Sequence, residues 1–314
     1  MSLAEEPSPP RAIGLKLAAV ASFVMMATCI KATAPHVPAG EAAFARALFA
    51  IPVIVGWLVL RHDLGTGLKT RRPLAHAWRG LIGSTAMLTG FGALMLLPLP
   101  QATALSYAIP ILTVVLAVIV LGERIRMVRV SAVVLGIVGI AIILWPDLVA
   151  SDAADARTLG VTLALVSAFL GATAQVFVRR LVQTEETPAI VFYFMVSATL
   201  VGLLTWPTGL FGEWVMPTPV EAALLVSSGL LGGFGQAFLT SAYRYGDASL
   251  IAPFDYASMI FALVIGYAIF GEIPRVSTLI GALVVIAAGA LIIWREGRLG
   301  IRRGQSRRHV TPQG

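Results

Sequence analysis

The 314-residue chain is 58% hydrophobic and 12% charged, where a soluble domain carries roughly 25% charged residues; a water-soluble globular enzyme with a single anchor is thereby excluded. Its net charge of +7 invites a nucleic-acid reading, with the tail GRLGIRRGQSRRHV as a basic arm. Lys and Arg, however, gather on the cytoplasmic side of membrane proteins and meet anionic lipid there, so the lipid bilayer is the expected partner and nucleic acid is not.

The first stretch, MSLAEEPSPPRA, mixes two glutamates with prolines ahead of the first apolar run. It lacks the basic region and small-residue cleavage site of a signal peptide, so the first helix is expected to be retained. A bilayer core takes about 20 apolar residues per helix. Runs of that scale predict helices over 12–34, 42–60, 76–96, 101–121, 130–146, 158–180, 188–206, 221–243, 249–270 and 277–294, the fifth and tenth being the shortest. Cys29, the one cysteine, falls inside the first run, which leaves no disulfide framework and no thiolate metal site within the chain.

Charge orients these runs. With the N-terminus in the cytoplasm, 19 of the 23 basic residues fall on the inner side, against Lys31, Arg157 and Arg275 outside and Arg46 within a helix. Both termini are then cytoplasmic. The stretch PDLVASDAADART carries three aspartates and one arginine, as an external linker should. The organisation that follows is a cytoplasmic segment 1–11, a first half 12–146, an external linker 147–157, a second half 158–294 and a basic cytoplasmic tail 295–314.

The halves repeat. A shift of 149 positions lays residues 77–145 on 226–294 without a gap, pairing Gly80 with Gly229, Gly83 with Gly232, Tyr107 with Tyr256, Gly122-Glu123 with Gly271-Glu272 and Trp145 with Trp294. Each half has an odd number of helices, so the second must enter the membrane from the opposite face. The expected fold is an all-α integral membrane protein of ten transmembrane helices in a 5+5 inverted repeat. Such a repeat lets one arrangement open outward and its mirror inward around a midplane site.

Ionisable groups in hydrocarbon are expensive and tend to mark function. Arg46 has no charged counterpart at the repeat-equivalent Met195, and can meet an anionic solute, Glu41 or external headgroups. Lys31 is expected to snorkel at the outer end of its helix, and Arg79 to anchor at the interface beside Trp78. Asp255 follows Pro253 by two residues, opposite Ser106 in the repeat, while Pro110 stands in the corresponding helix of the first half. Prolines remove helix hydrogen bonds, so both helices can break there and expose carbonyls at a binding site. Asp255 could hold a cation, a proton or a solute hydrogen bond; the bland alternative is a pairing with Tyr243 or Arg244.

Tyr107 and Tyr256 are placed by the inversion about two turns from opposite mouths, where each can line or close the cavity and stack on a planar solute. Gln175 and Gln236 are neutral hydrogen-bonding groups at helix depth, suited to gluing helices or touching solute. Glu123 and Glu272 end their helices and are expected to pair with Arg126 and Arg275. The glycines of the third and eighth helices let neighbours approach closely, and GLLGGFG, being inside an apolar helix, is no nucleotide loop. His36, His62, His76 and His309 are scattered without metal-ligand spacing, so neither a catalytic centre, a metal nor a cofactor is expected. A membrane enzyme or a receptor without transport fits the repeat poorly.

The paired LGE and FGE helix ends, the glycine-rich VLGIVGIAIILWP, Phe44 and Arg46 together resemble the EamA family of the drug/metabolite transporter superfamily, over nearly the whole chain. Residues 76–123 are most similar to bacterial uptake carriers for riboflavin and for S-adenosylmethionine. The resemblance implies a secondary transporter of the bacterial inner membrane that moves a small-molecule solute, with riboflavin uptake first. S-adenosylmethionine uptake and amino-acid or drug export are the alternatives, and a homodimer is compatible with all of them.

Overall fold

In the computed structural model, residues 8–60, 64–121, 127–149, 155–181, 184–245 and 252–291 are described; among them there is no strand. The helices run α1 Pro9–Thr33, α2 Ala39–Leu60, α3 Pro73–Leu96, α4 in two pieces (Leu99–Ser106 and Ala108–Leu121), α5 Met127–Val149, α6 Asp155–Leu181, α7 Thr187–Thr208 and α8 Pro219–Tyr245. A 3₁₀ turn, Ala252–Tyr256, leads into α9, Ala257–Phe270, and Val276–Leu291 forms α10. Six of these are long and apolar enough to cross a membrane. All ten predicted helices are present. Lys16 and Arg79 lie inside α1 and α3, as the predicted helices 12–34 and 76–96 place them. Glu123, Arg126, most of the 147–157 linker and the 295–314 tail lie outside the described residues.

The ends of the helices follow from local chemistry. Prolines stand in the first turn of α1, α3, α4 and α7, where the missing N–H has no intrahelical partner to lose. The FGE motif closes α9: Gly271 takes the left-handed conformation, φ 65°, and the Glu272 N–H reaches back to the Gly266 carbonyl at 2.9 Å. Only glycine adopts that conformation without a Cβ penalty, and the residue after it is thereby turned back across the helix end.

Between lipid-solvated helices there is little hydrophobic drive, so close packing of small residues takes over. The packed face of α2 is almost entirely small: Ala39, Gly40, Ala42, Ala43, Ala45, Ala47 and Ala50 are buried. Gly80 on α3 meets the Ser197 side chain of α7, and its repeat partner Gly229 on α8 meets Phe49 of α2. Helices of one half pack chiefly on helices of the other: α1 on α8, α3 on α6, α2 on α7. Counterparts α2 and α7 run antiparallel, with Gly40 against Thr205, Phe44 against Gly202, and Arg46 against Met195. Large apolar side chains such as Ile119, Trp145, Leu204, Tyr267 and Leu283 stand on the outside.

Candidate functional site

The break in α4 falls at Tyr107. Pro110 has no N–H to give the Ser106 carbonyl four residues back, so the helix stops at Ser106 and restarts at Ala108. The Tyr107 N–H turns instead to the Ala104 carbonyl, a 3₁₀ contact. In the second half the equivalent Tyr256 also lies at a break, where the 3₁₀ turn Ala252–Tyr256, which contains Pro253, precedes α9. Both breaks meet: the rings of Tyr107 and Tyr256 pack edge to face with centroids 5.4 Å apart. The Tyr107 hydroxyl bonds the Ser258 hydroxyl at 2.7 Å, and Ser258 donates onward to the Asp255 carbonyl at 2.7 Å. The Tyr256 hydroxyl occupies the space a side chain at Gly289 of α10 would need. Ser106 is exposed at the break and donates to the Thr103 carbonyl.

The side chains of Tyr243 and Arg244, the pairings weighed above for Asp255, lie outside the described residues. The Asp255 carboxylate meets Lys16 Nζ at 2.6 Å, with the lysine side chain 3% exposed and the aspartate 54%. Lys31 does not snorkel: its Nζ is 3.0 Å from Glu272 and donates to the carbonyls of Leu97 and Leu94 at the end of α3. A cation there answers the open carbonyls of a helix C-terminus. Glu272 in turn accepts the Leu99 N–H at 2.7 Å, so its carboxylate is engaged with Lys31 and the start of α4. Lys16 and Lys31 are 15 residues apart on α1, about 22 Å along the helix. Each thus ties α1 to the α9 segment at a different depth.

Arg46 is buried, and Glu41, one of the partners expected for it, instead accepts the Val215 N–H at 3.1 Å. The guanidinium lies against three thioethers, those of Met26, Met87 and Met195, at 3.3–3.4 Å. Arg79 is no interfacial anchor: Trp78 is exposed, but Arg79 turns inward, its guanidinium 3.9 Å from the Phe194 ring centroid, with Nε and Nη1 buried and unpartnered. Gln175 is in helical phase with the buried Ala164 and Ala168 of α6 yet is exposed. Gln236 is half-buried on α8. Sequence reasoning missed Lys16, Ser258 and the inward turn of Arg79. The signal for Arg79 was available in its phase: it is four residues from Gly83 and one from Gly80, both on the face packed against α7.

Ten helices with a lipid-type exterior, broken centrally at two tyrosines and carrying buried charges inside, define a multi-pass membrane transporter, and not an enzyme. The chain belongs to the EamA-like transporter family, whose pattern it matches twice, over residues 10–145 and 158–294. It is 32% identical to the S-adenosylmethionine uptake transporter of Rickettsia prowazekii (strain Madrid E) over 82% of this chain and 83% of that one. It is 30% identical to the pseudopaline exporter CntI of Pseudomonas aeruginosa (strain UCBPP-PA14) over 90% of this chain and 97% of that protein. With the riboflavin transporter of Rhizobium johnstonii it shares 28% identity over 74% of each chain. A solved crystal structure superposes with a TM-score of 0.63 over 93% of this chain and 99% of its own, at 20% identity, a likeness of fold.

Proposed function

We propose that the chain is a secondary transporter of the bacterial inner membrane that takes up a small organic metabolite of the S-adenosylmethionine class by alternating access. The observation that carries the solute is the 31–32% identity to four Rickettsia S-adenosylmethionine uptake transporters over 82–86% of this chain. Riboflavin, expected first from residues 76–123, rests on a lower identity over less of the chain, and export has the pseudopaline relative in its favour.

The halves 12–146 and 158–294 are read as inverted repeats with both termini in the cytoplasm. In favour are the antiparallel contact of counterparts α2 and α7, the meeting of Tyr107 with Tyr256, and the distribution of basic residues. The solute path runs through the bundle interior, with Tyr107, Ser106, Tyr256 and Asp255 where α4 meets the α9 segment, Gln175 on α6, Gln236 on α8 and Arg46 between α2, α3, α7 and α8. The Pro110 and Pro253 breaks supply bendable points there. Lys16–Asp255 lies toward the inner mouth and Lys31–Glu272 toward the outer one, so opening either side separates α1 from the α9 segment at that depth. Counterflow in proteoliposomes against S-adenosylmethionine, riboflavin, amino acids and cationic dyes tests the reading. Accumulation of S-adenosylmethionine is the expected result, riboflavin alone moves the assignment to that solute, and exchange of none of them sinks it.

A further inference from the structure

Arg46 and Arg79 approach the same two consecutive residues of α7: Arg46 touches Met195 and Arg79 lies over Phe194. Along α3, the Met87 sulfur meets Arg46, while the small face at Gly83 lies 3.3 Å from Arg79 Nη1, measured from an ideal Cβ. On the far side, Gly232 of α8 leaves the room that Arg46 fills. Both guanidinium groups thus lie inside the bundle formed by α2, α3, α7 and α8, against neighbouring residues of α7.

Neither has a carboxylate within ion-pairing distance among the described residues. Arg46 is 6% exposed and finds only sulfurs, which are weak acceptors; Arg79 leaves Nε and Nη1 buried with no acceptor at all. A buried cation without a counterion carries a large desolvation penalty. Snorkelling does not relieve it, because Arg79 turns away from the interface. A carboxylate is the small anion whose oxygens accept hydrogen bonds from such guanidinium forks.

We infer that Arg46 and Arg79 together form the site for a carboxylate carried by the transported solute. The inference rests on the reading above that the chain moves a small metabolite, and it narrows the chemistry. A solute with an α-amino-acid end, such as S-adenosylmethionine, supplies the carboxylate; riboflavin has none. Guanidinium is suited to the task because its planar fork grips a carboxylate with two parallel hydrogen bonds. The methionines and Phe194 around it exclude water and strengthen the contact.

The test uses the full chain in proteoliposomes, with S-adenosylmethionine and its decarboxylated counterpart as paired probes and riboflavin as a third. Wild type is expected to take up the carboxylated probe at least tenfold faster at limiting concentration, the range of one or more charged hydrogen bonds. Arg79→Gln is expected to remove most of that preference by slowing the carboxylated probe alone, and Arg79→Lys to retain part of it. Equal uptake of the paired probes by wild type, or equal slowing of both by Arg79→Gln, overturns the inference. So does a carrier that moves riboflavin but not S-adenosylmethionine, which would leave the transporter assignment standing. If no probe moves, thermal stabilisation of the purified chain by L-methionine but not by methioninol, lost in Arg79→Gln, sustains the site while the S-adenosylmethionine assignment falls. Absence of that difference overturns it. Melting of Arg79→Gln without ligand, compared with wild type, separates loss of the site from loss of the fold.

Discussion

Lys16 of α1 holds Asp255 at 2.6 Å although the lysine side chain is buried and the aspartate is half in solvent. The asymmetry predicts unequal mutational costs. Asp255→Asn strands a buried ammonium and should destabilise the purified carrier by about 1–3 kcal/mol, below the 3–5 of a fully enclosed pair because water reaches the aspartate side. Lys16→Met should cost less, since it leaves only an exposed carboxylate. The double variant should melt close to Lys16→Met, and full additivity of the two single losses would count against a direct pairing.

At the other end, Lys31 joins Glu272 and the carbonyls of Leu94 and Leu97, and Glu272 joins the Leu99 N–H. Five groups share one small network, so its members are not independent. Lys31→Met and Glu272→Gln should each lower the melting temperature, with a coupling of about 1–3 kcal/mol in the double-mutant cycle. If the pair is a gate, Glu272→Gln should also raise the rate at which Cys29, buried in α1, is labelled from outside. Labelling that stays at the wild-type rate would restrict the pair to a structural role.

The tyrosines are predicted to separate by function. Tyr107→Phe removes the bond to Ser258 but keeps the ring against Tyr256, so it should cost about 1 kcal/mol or less of stability and change the transport rate modestly. Tyr107→Leu and Tyr256→Leu remove the ring contact, worth about 0.5–1.5 kcal/mol beyond area, and should slow uptake much more. Gly289→Val should mimic Tyr256→Leu by filling the space of the Tyr256 hydroxyl. Unchanged transport in both leucine variants would leave the tyrosines as packing alone.

Much of the fold was legible because the bilayer imposes a length: predicted and observed helix ends agree within three residues wherever both are described. The breaks were legible through Pro110 and Pro253, which remove donors that no other residue removes. Partnerships across helices were not. Asp255 was paired in sequence reasoning with neighbours along the chain, whereas Lys16 lies 239 residues away. Nothing in a linear pattern says which helix a charge will face. Likewise the i+3 spacing of Glu272 and Arg275 is visible along the chain, whereas the contacts of Glu272 with Lys31 and the Leu99 N–H join residues 241 and 173 positions away.

The connections α2–α3 and α6–α7 are clasped by Glu185, which accepts the Arg71 N–H at 3.0 Å and meets His76 Nε2 at 3.4 Å. Burial alone would raise the Glu185 carboxyl, but hydrogen bonds from the Arg71 N–H, the Thr70 hydroxyl and His76 outweigh it and hold the group below its ordinary value. A carboxyl lowered on folding adds stability that is present above its unfolded value and is lost as pH falls through the folded one. The purified carrier should therefore keep this contribution at neutral pH and lose it on acidification through the carboxylate range. Glu185→Gln should lower the melting temperature at neutral pH and reduce the difference between neutral and acidic melts. An acid dependence of melting identical in wild type and Glu185→Gln would show that the clasp contributes nothing to it. Because both connections are expected on the cytoplasmic side, acidifying only the lumen of inside-out vesicles should leave the clasp intact, whereas acidifying the external bath should loosen it.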